Sequence, residues 1–158
     1  AEMLSALNYS LGERKIEAQF VSLIYAVWDD AQRTLQVANS GLPRPVFCHD
    51  GRIELIEATG LPLGLFEEAE YEEFTFQAKP GDMFVFFSDG ILDASNTDGQ
   101  MFGRRRTEEI ISKCAKVSAD CAVKSLFEAV AEHASGVETF DDQTIVAIRV
   151  KDAPGKRK

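Results

Sequence analysis

Along this chain the apolar positions change period several times, and each change predicts a new element. Met3, Leu4, Leu7 and Leu11 recur at helical spacing, which predicts a helix over the opening AEMLSALNYSLG, closed by Gly12. From Gln19 to Trp28 the run FVSLIYAVW is apolar at every other position on both registers and rich in β-branched and aromatic residues, the pattern of a buried strand. Asp29-Asp30 begins a turn, Arg33 to Ala38 returns as a strand, and NSGLPRP forms a loop before Val46 to His49. Asp50-Gly51 is a strong hairpin signal that joins this strand to Ile53 to Ile56. The expected arrangement of these strands is an antiparallel meander.

Beyond the Gly/Pro-rich ATGLPLGLF, the segment Tyr71 to Gln77 alternates in the manner of an outer strand with one covered face. Pro80-Gly81-Asp82 makes a turn, and Met83 to Ser88 follows as a buried strand that ends on Asp89. Ile110, Ile111, Cys114 and Val117 predict a helix over Thr107 to Val117. Ser118 can cap a second helix with Val123, Leu126, Phe127, Val130 and Ala131 along one stripe. Thr144 to Val150, TIVAIRV, closes the pattern as another buried strand directly after Asp141-Asp142. Many strands, then two helices, then a strand predict an α+β layered domain, with a β sandwich carrying helices on an outer face.

Composition narrows the class. At 158 residues the chain suffices for one domain, and a domain of that size buries roughly 70% of the surface its unfolded form exposes. With 45% hydrophobic and 27% charged residues it has the usual globular mixture, and no run is long enough to span a bilayer as a helix. A formal charge of -9 argues against nucleic acid as a partner, since phosphate binding depends on cationic neutralisation. Cys48, Cys114 and Cys121 lack CxxC spacing, and His49 and His133 are the two histidines, so a zinc cluster is not indicated. Small buried thiols in a reducing, cytoplasmic setting are the expectation.

The candidate chemistry is a pair of acids. Asp89 stands just beyond one buried strand and Asp141 just before another. If those strands are antiparallel neighbours, both carboxylates meet at one sheet edge. Spacing leaves two readings open: solvated turn aspartates, or a site for a hard divalent cation that offsets their repulsion. An EF-hand loop starting at Asp93 fails, because Gly99 falls at its seventh position and Arg104 at its twelfth. No Walker lysine follows a glycine cluster, and no G-x-S-x-G elbow is present.

Taken in order, ANSGLPRPVF, GLPLGL, KPGDMFVFFSDGILDASNTDGQMFG and FDDQTIVAIRV resemble the SpoIIE-like, or RsbU-like, branch of the metal-dependent PPM serine/threonine phosphatases, the protein phosphatase 2C superfamily. The likeness runs over nearly the whole chain, as a partial PPM-type domain over residues 1–151 followed by a polar tail, 152–158. It implies an αββα sandwich of mainly antiparallel sheets with a binuclear Mn2+ or Mg2+ centre between the sheets. By motif match Asp89 and Asp141 are the metal ligands and catalytic residues, with Gly90, Asp93 and Asp142 as their supporting neighbours. Leu42 stands where the family often has histidine. The implied reaction is direct hydrolysis by a metal-activated water, with no covalent nucleophile.

Relatives also carry an earlier acidic strand motif and a D-x-x-G-H-G-like segment, neither of which occurs here, while their next helix ends in an L-N element that matches MLSALNYSLG. The expectation is therefore a chain that begins just after those ligands and is itself weakly active or inactive. The resemblance further implies a phosphoserine or phosphothreonine protein as substrate, commonly an anti-sigma-factor antagonist in bacterial partner switching. A helical face could serve a homodimer. The alternative expectation is a noncatalytic regulatory or interaction module that retains the fold.

Overall fold

The computed structural model describes residues 1–13, 20–139 and 141–152. In chain order its elements are α1 (Glu2–Glu13), β1 (Leu23–Asp29), β2 (Thr34–Ser40), β3 (Val46–His49), β4 (Arg52–Leu55), β5 (Glu73–Gln77), β6 (Met83–Phe87), α2 (Asp89–Leu92), α3 (Gly103–Cys114), α4 (Ala119–His133) and β7 (Ile145–Arg149). The strands form two antiparallel sheets, ordered β1-β2-β5 and β4-β3-β6-β7, which with the helices makes the expected α+β fold. The chain divides into two compact units, Ala1–Arg44 with Ile56–Ala78, and Pro45–Leu55 with Lys79–Lys158.

In the first unit, α1 runs through Gly12 to Glu13 rather than stopping at the glycine, and Leu4 and Asn8 form its buried stripe. Asn8 is buried because its amide is fully used: Nδ2 donates to the carbonyls of Phe66 and Glu67, and Oδ1 accepts from Gly64 N at 2.8 Å. The L-N element is therefore a clamp on the GLPLGLF loop. The described part of the 19–28 run is not a buried strand. Among the described residues β1 is a sheet edge that pairs with β2 alone, and Tyr25, Val27 and Trp28 are exposed.

The meander is also corrected. β2 pairs with β1 and β5, whereas β3 pairs with β4 and β6 in the other sheet. After β2 the chain turns on Asn39, whose Nδ2 donates to the carbonyls of Leu42 and Ala58 and whose Oδ1 accepts from Leu42 N. Gly41, at φ +87°, completes a turn that diverts the chain instead of folding β3 back on β2.

The second unit is built around β6, whose five residues are all buried. Asp50 and Gly51 both take positive φ, as a two-residue type I′ hairpin between β3 and β4 requires. α3 begins at Gly103, four residues before the expected Thr107, and its buried positions are Thr107, Ile111 and Cys114, while Val117 lies outside it and is exposed. α4 buries Ala122, Leu126 and Val130 and is capped as expected, with Ser118 Oγ accepting from Cys121 N at 3.0 Å. These helices share one apolar core with Val46, Cys48, Met83, Val85 and Phe87. β7 is an edge strand with Val146 and Ile148 exposed, so it is covered on one face and not buried on both.

Cys114 and Cys121 are joined as a disulfide, which corrects the expectation of three thiols and removes the cysteine-based argument for a reducing compartment. The end of α3 and the first turn of α4 bring their Cα atoms to 5.5 Å, a separation a disulfide spans. Cys48 is a free thiol, and burial, with the nearby Asp82 carboxylate, pushes its pKa up to about 11. Among the described residues no helix is long and apolar enough to cross a membrane.

Candidate metal centre

Because β6 is a fully buried interior strand of its sheet, its carboxyl end is a fixed point on which side chains can be placed. β7 runs antiparallel beside it, with Phe87 opposite Ile145, and Ser88 N continues the ladder by donating to Thr144 O at 3.0 Å. The end of one strand thus lies beside the beginning of the other, as the antiparallel arrangement of Asp89 and Asp141 requires.

Asp89 is exposed and opens α2, a single helical turn that the alternating pattern did not predict. Its Oδ1 accepts from Gly90 N at 3.2 Å. Asp93, also exposed, ends the same turn, its N–H bonded to Asp89 O at 2.9 Å. Four residues apart on one helical turn, Asp89 and Asp93 lie on the same face. Asp141 and Asp142 are exposed, and Asp141 Oδ1 accepts from Asp142 N at 2.8 Å. Thr139, Asp141, Asp142 and Gln143 line a shallow cleft of about 420 Å³.

Two contacts fasten the segments together. Ser88 Oγ donates to Asp142 O at 2.8 Å and accepts from Thr144 N at 2.9 Å. Gly90 packs so closely that a β-carbon there would stand 2.5 Å from Asp142 O and 3.3 Å from Asp141 O. Gly90 and Asp142 thus meet through the backbone, Gly90 by having no side chain and Asp142 by its carbonyl. Ser88 was not singled out from sequence: it reads there as the last residue of the strand Met83 to Ser88, and its cross-strand use depends on a pairing 54 residues away.

The donor set fits part of a hard-cation site. The groups are carboxylates, water reaches them, and among the described residues the Oδ2 atoms of Asp89 and Asp141 accept no hydrogen bond. Among those residues no three His, Cys, Asp or Glu side chains converge closely enough to hold an ion by themselves. The described acids at this sheet edge therefore do not by themselves make a complete cation site.

Residues 1–151 match the family described as Stage II sporulation protein E (SpoIIE). The chain belongs to the SpoIIE family. The phosphoserine phosphatase RsbU of Bacillus subtilis is 25% identical to it over 154 residues, which is 96% of this chain and 45% of RsbU. Among solved structures, the SiaA-PP2C domain of Pseudomonas aeruginosa matches with a TM-score of 0.73 at 18% identity, over 94% of this chain and 70% of that one. The phosphatase domain of SpoIIE from Bacillus subtilis matches at 0.69 and 19% identity, over 97% and 66%. At those identities the likeness shows the fold, that of the PP2C phosphatase domains. This SpoIIE-family chain spans between 17% and 45% of the length of the curated relatives it matches.

Proposed function

We propose that the protein carrying this chain hydrolyses phosphoserine or phosphothreonine on a regulatory protein of bacterial partner-switching signalling, with Mn2+ or Mg2+ as cofactor and in the cytoplasm. The observation that carries the reading is the fastening of the Asp141–Asp142 segment to the Ser88–Gly90 segment at the end of a buried strand. Family membership supports the chemistry, and RsbU, a phosphoserine phosphatase, supports the substrate class.

Asp89 and Asp141 would hold the cations, with Asp93 and Asp142 adding negative charge beside them and Gly90 allowing the close approach. A bound divalent cation supplies Lewis-acid activation of water and neutralises phosphoryl charge. The chain's own contribution is orientation: Oδ1 of each principal acid accepts from the next backbone N–H, which restrains the carboxylate and leaves its second oxygen as the one that would meet a cation. No serine or cysteine is required as a nucleophile.

The test is phosphate release by the full-length natural protein from a phosphorylated anti-sigma-factor antagonist, titrated with Mn2+ and Mg2+. Metal-dependent release that falls at least about 100-fold in Asp89→Asn and Asp141→Asn is expected; release unaffected by chelator or by both substitutions overturns the reading. Residues 1–158 alone should release little phosphate, since their described acids make a partial site. That same partial donor set favours one second reading, a noncatalytic regulatory module. It would be supported by a full-length protein that binds the phosphoprotein, as a monomer or homodimer, without hydrolysing it.

A further inference from the structure

We infer that Ser88 is a positioning residue for this cation site, its hydroxyl setting where Asp141 stands relative to Asp89. The inference rests on the reading of those two acids as ligands. Ser88 holds the N-cap position of α2 with extended backbone, φ -79° and ψ 164°, the geometry from which a serine hydroxyl ordinarily accepts from a backbone N–H in the first turn of its own helix. It makes no such bond. Both functions of the hydroxyl are spent on a segment more than 50 residues away, the donor on Asp142 O at 2.8 Å and the acceptor on Thr144 N at 2.9 Å.

The placement matters because of what flanks each bonded group. Asp89 follows Ser88 directly, and Asp141 directly precedes Asp142, so each acid is one residue from the clasp. With Ser88 N bonded to Thr144 O as well, residue 88 grips Asp142 and Thr144 by three bonds. A hydroxyl engaged on both sides has a fixed rotor, so the two acid-bearing segments cannot slide independently. Gly90 closes the other side of the contact by letting the Asp142 carbonyl approach.

Removing the hydroxyl frees groups at the surface, where water replaces the lost partners, so the consequence falls on ligand placement more than on folding. Partners that orient a ligand without touching the metal typically change metal affinity by about 10- to 100-fold. The experiment measures Mn2+ binding by calorimetry, and thermal melting without metal, for the full-length protein and its Ser88→Ala, Ser88→Thr, Ser88→Cys, Asp89→Asn and Asp141→Asn variants. Ser88→Ala should bind Mn2+ about 10-fold more weakly with little change in melting temperature, Ser88→Thr should restore most of the affinity, and Ser88→Cys should fall between. The Mn2+ midpoint for phosphate release should shift alongside, with kcat recovered at saturating metal. Wild-type affinity in Ser88→Ala, or equal losses in the Ala and Thr variants, overturns the positioning role while losses in the Asp variants leave the ligand reading standing. Unchanged binding in both Asp variants overturns both. Should Ser88→Ala fail to fold, the Cys and Thr variants decide, since unequal affinity at equal melting temperature is the expected result and equal affinity the contrary one.

Discussion

The carbonyl oxygen of Asp142 lies 2.5 Å from the point where a β-carbon on residue 90 would stand, so Gly90 and Asp142 are in contact only because Gly90 has no side chain. The obstacle is backbone, which cannot swing aside as a flexible side chain would. Gly90→Ala must therefore displace either the turn of α2 or the Asp141–Asp142 segment, at a cost of about 1–3 kcal/mol. Gly12 is the contrasting case: it is helical, without positive φ, and nothing among the described residues lies within 4 Å of its β position. Gly12→Ala should stabilise by about 0.5–1 kcal/mol. Urea denaturation of the two variants should therefore shift in opposite directions.

The Cys114–Cys121 link closes a short loop, with seven residues of sequence separation, between α3 and α4. Chain entropy alone assigns a loop of that size about 2 kcal/mol. Reduction should lower the melting temperature by several degrees, and Cys114→Ala/Cys121→Ala should melt at the same lower temperature with or without reductant. A reductant effect that persists in the double variant would place the sensitivity elsewhere.

Cys48 gives a prediction at high pH. Its folded pKa is raised from 9.0 to about 11 by burial and the Asp82 carboxylate, so the native state keeps a proton that the unfolded chain releases. Stability from this group is complete below pH 9 and is lost as pH rises through 11. The difference in unfolding free energy between wild type and Cys48→Ala should shrink across that window. A difference independent of pH would contradict the buried-thiol account.

Tyr71 is buried, and its hydroxyl has no hydrogen-bond partner among the described residues. Burial also raises its pKa. An unsatisfied buried hydroxyl costs about 1–3 kcal/mol when nothing compensates it. Tyr71→Phe should therefore leave stability unchanged or raise it, as read from the thermal midpoint; a clear loss would reveal a partner for the hydroxyl.

Much of this protein was legible in the order of its residues. Apolar period, the Asp-Gly turn signal and a capping serine located β6, the Asp50-Gly51 hairpin and α4 with its Ser118 cap, because each is a local event: five consecutive buried positions, two positive φ values in a row, one hydroxyl meeting one N–H three residues on. The pairing of Asp89 with Asp141 could be posed from the sequence, since both acids abut apolar strands. Other features depended on partners distant in sequence. The apolar run through Trp28 reads as buried from its composition, yet among the described residues β1 lies exposed at a sheet edge, a fact about its neighbours and not its residues. β3 could not be assigned to its sheet from alternation, which records faces and not partners. Only the tertiary structure decided that Ser88 declines its own helix to hold Asp142 and Thr144, because a hydroxyl's choice of partner is set by which backbone groups folding brings within 3 Å of it.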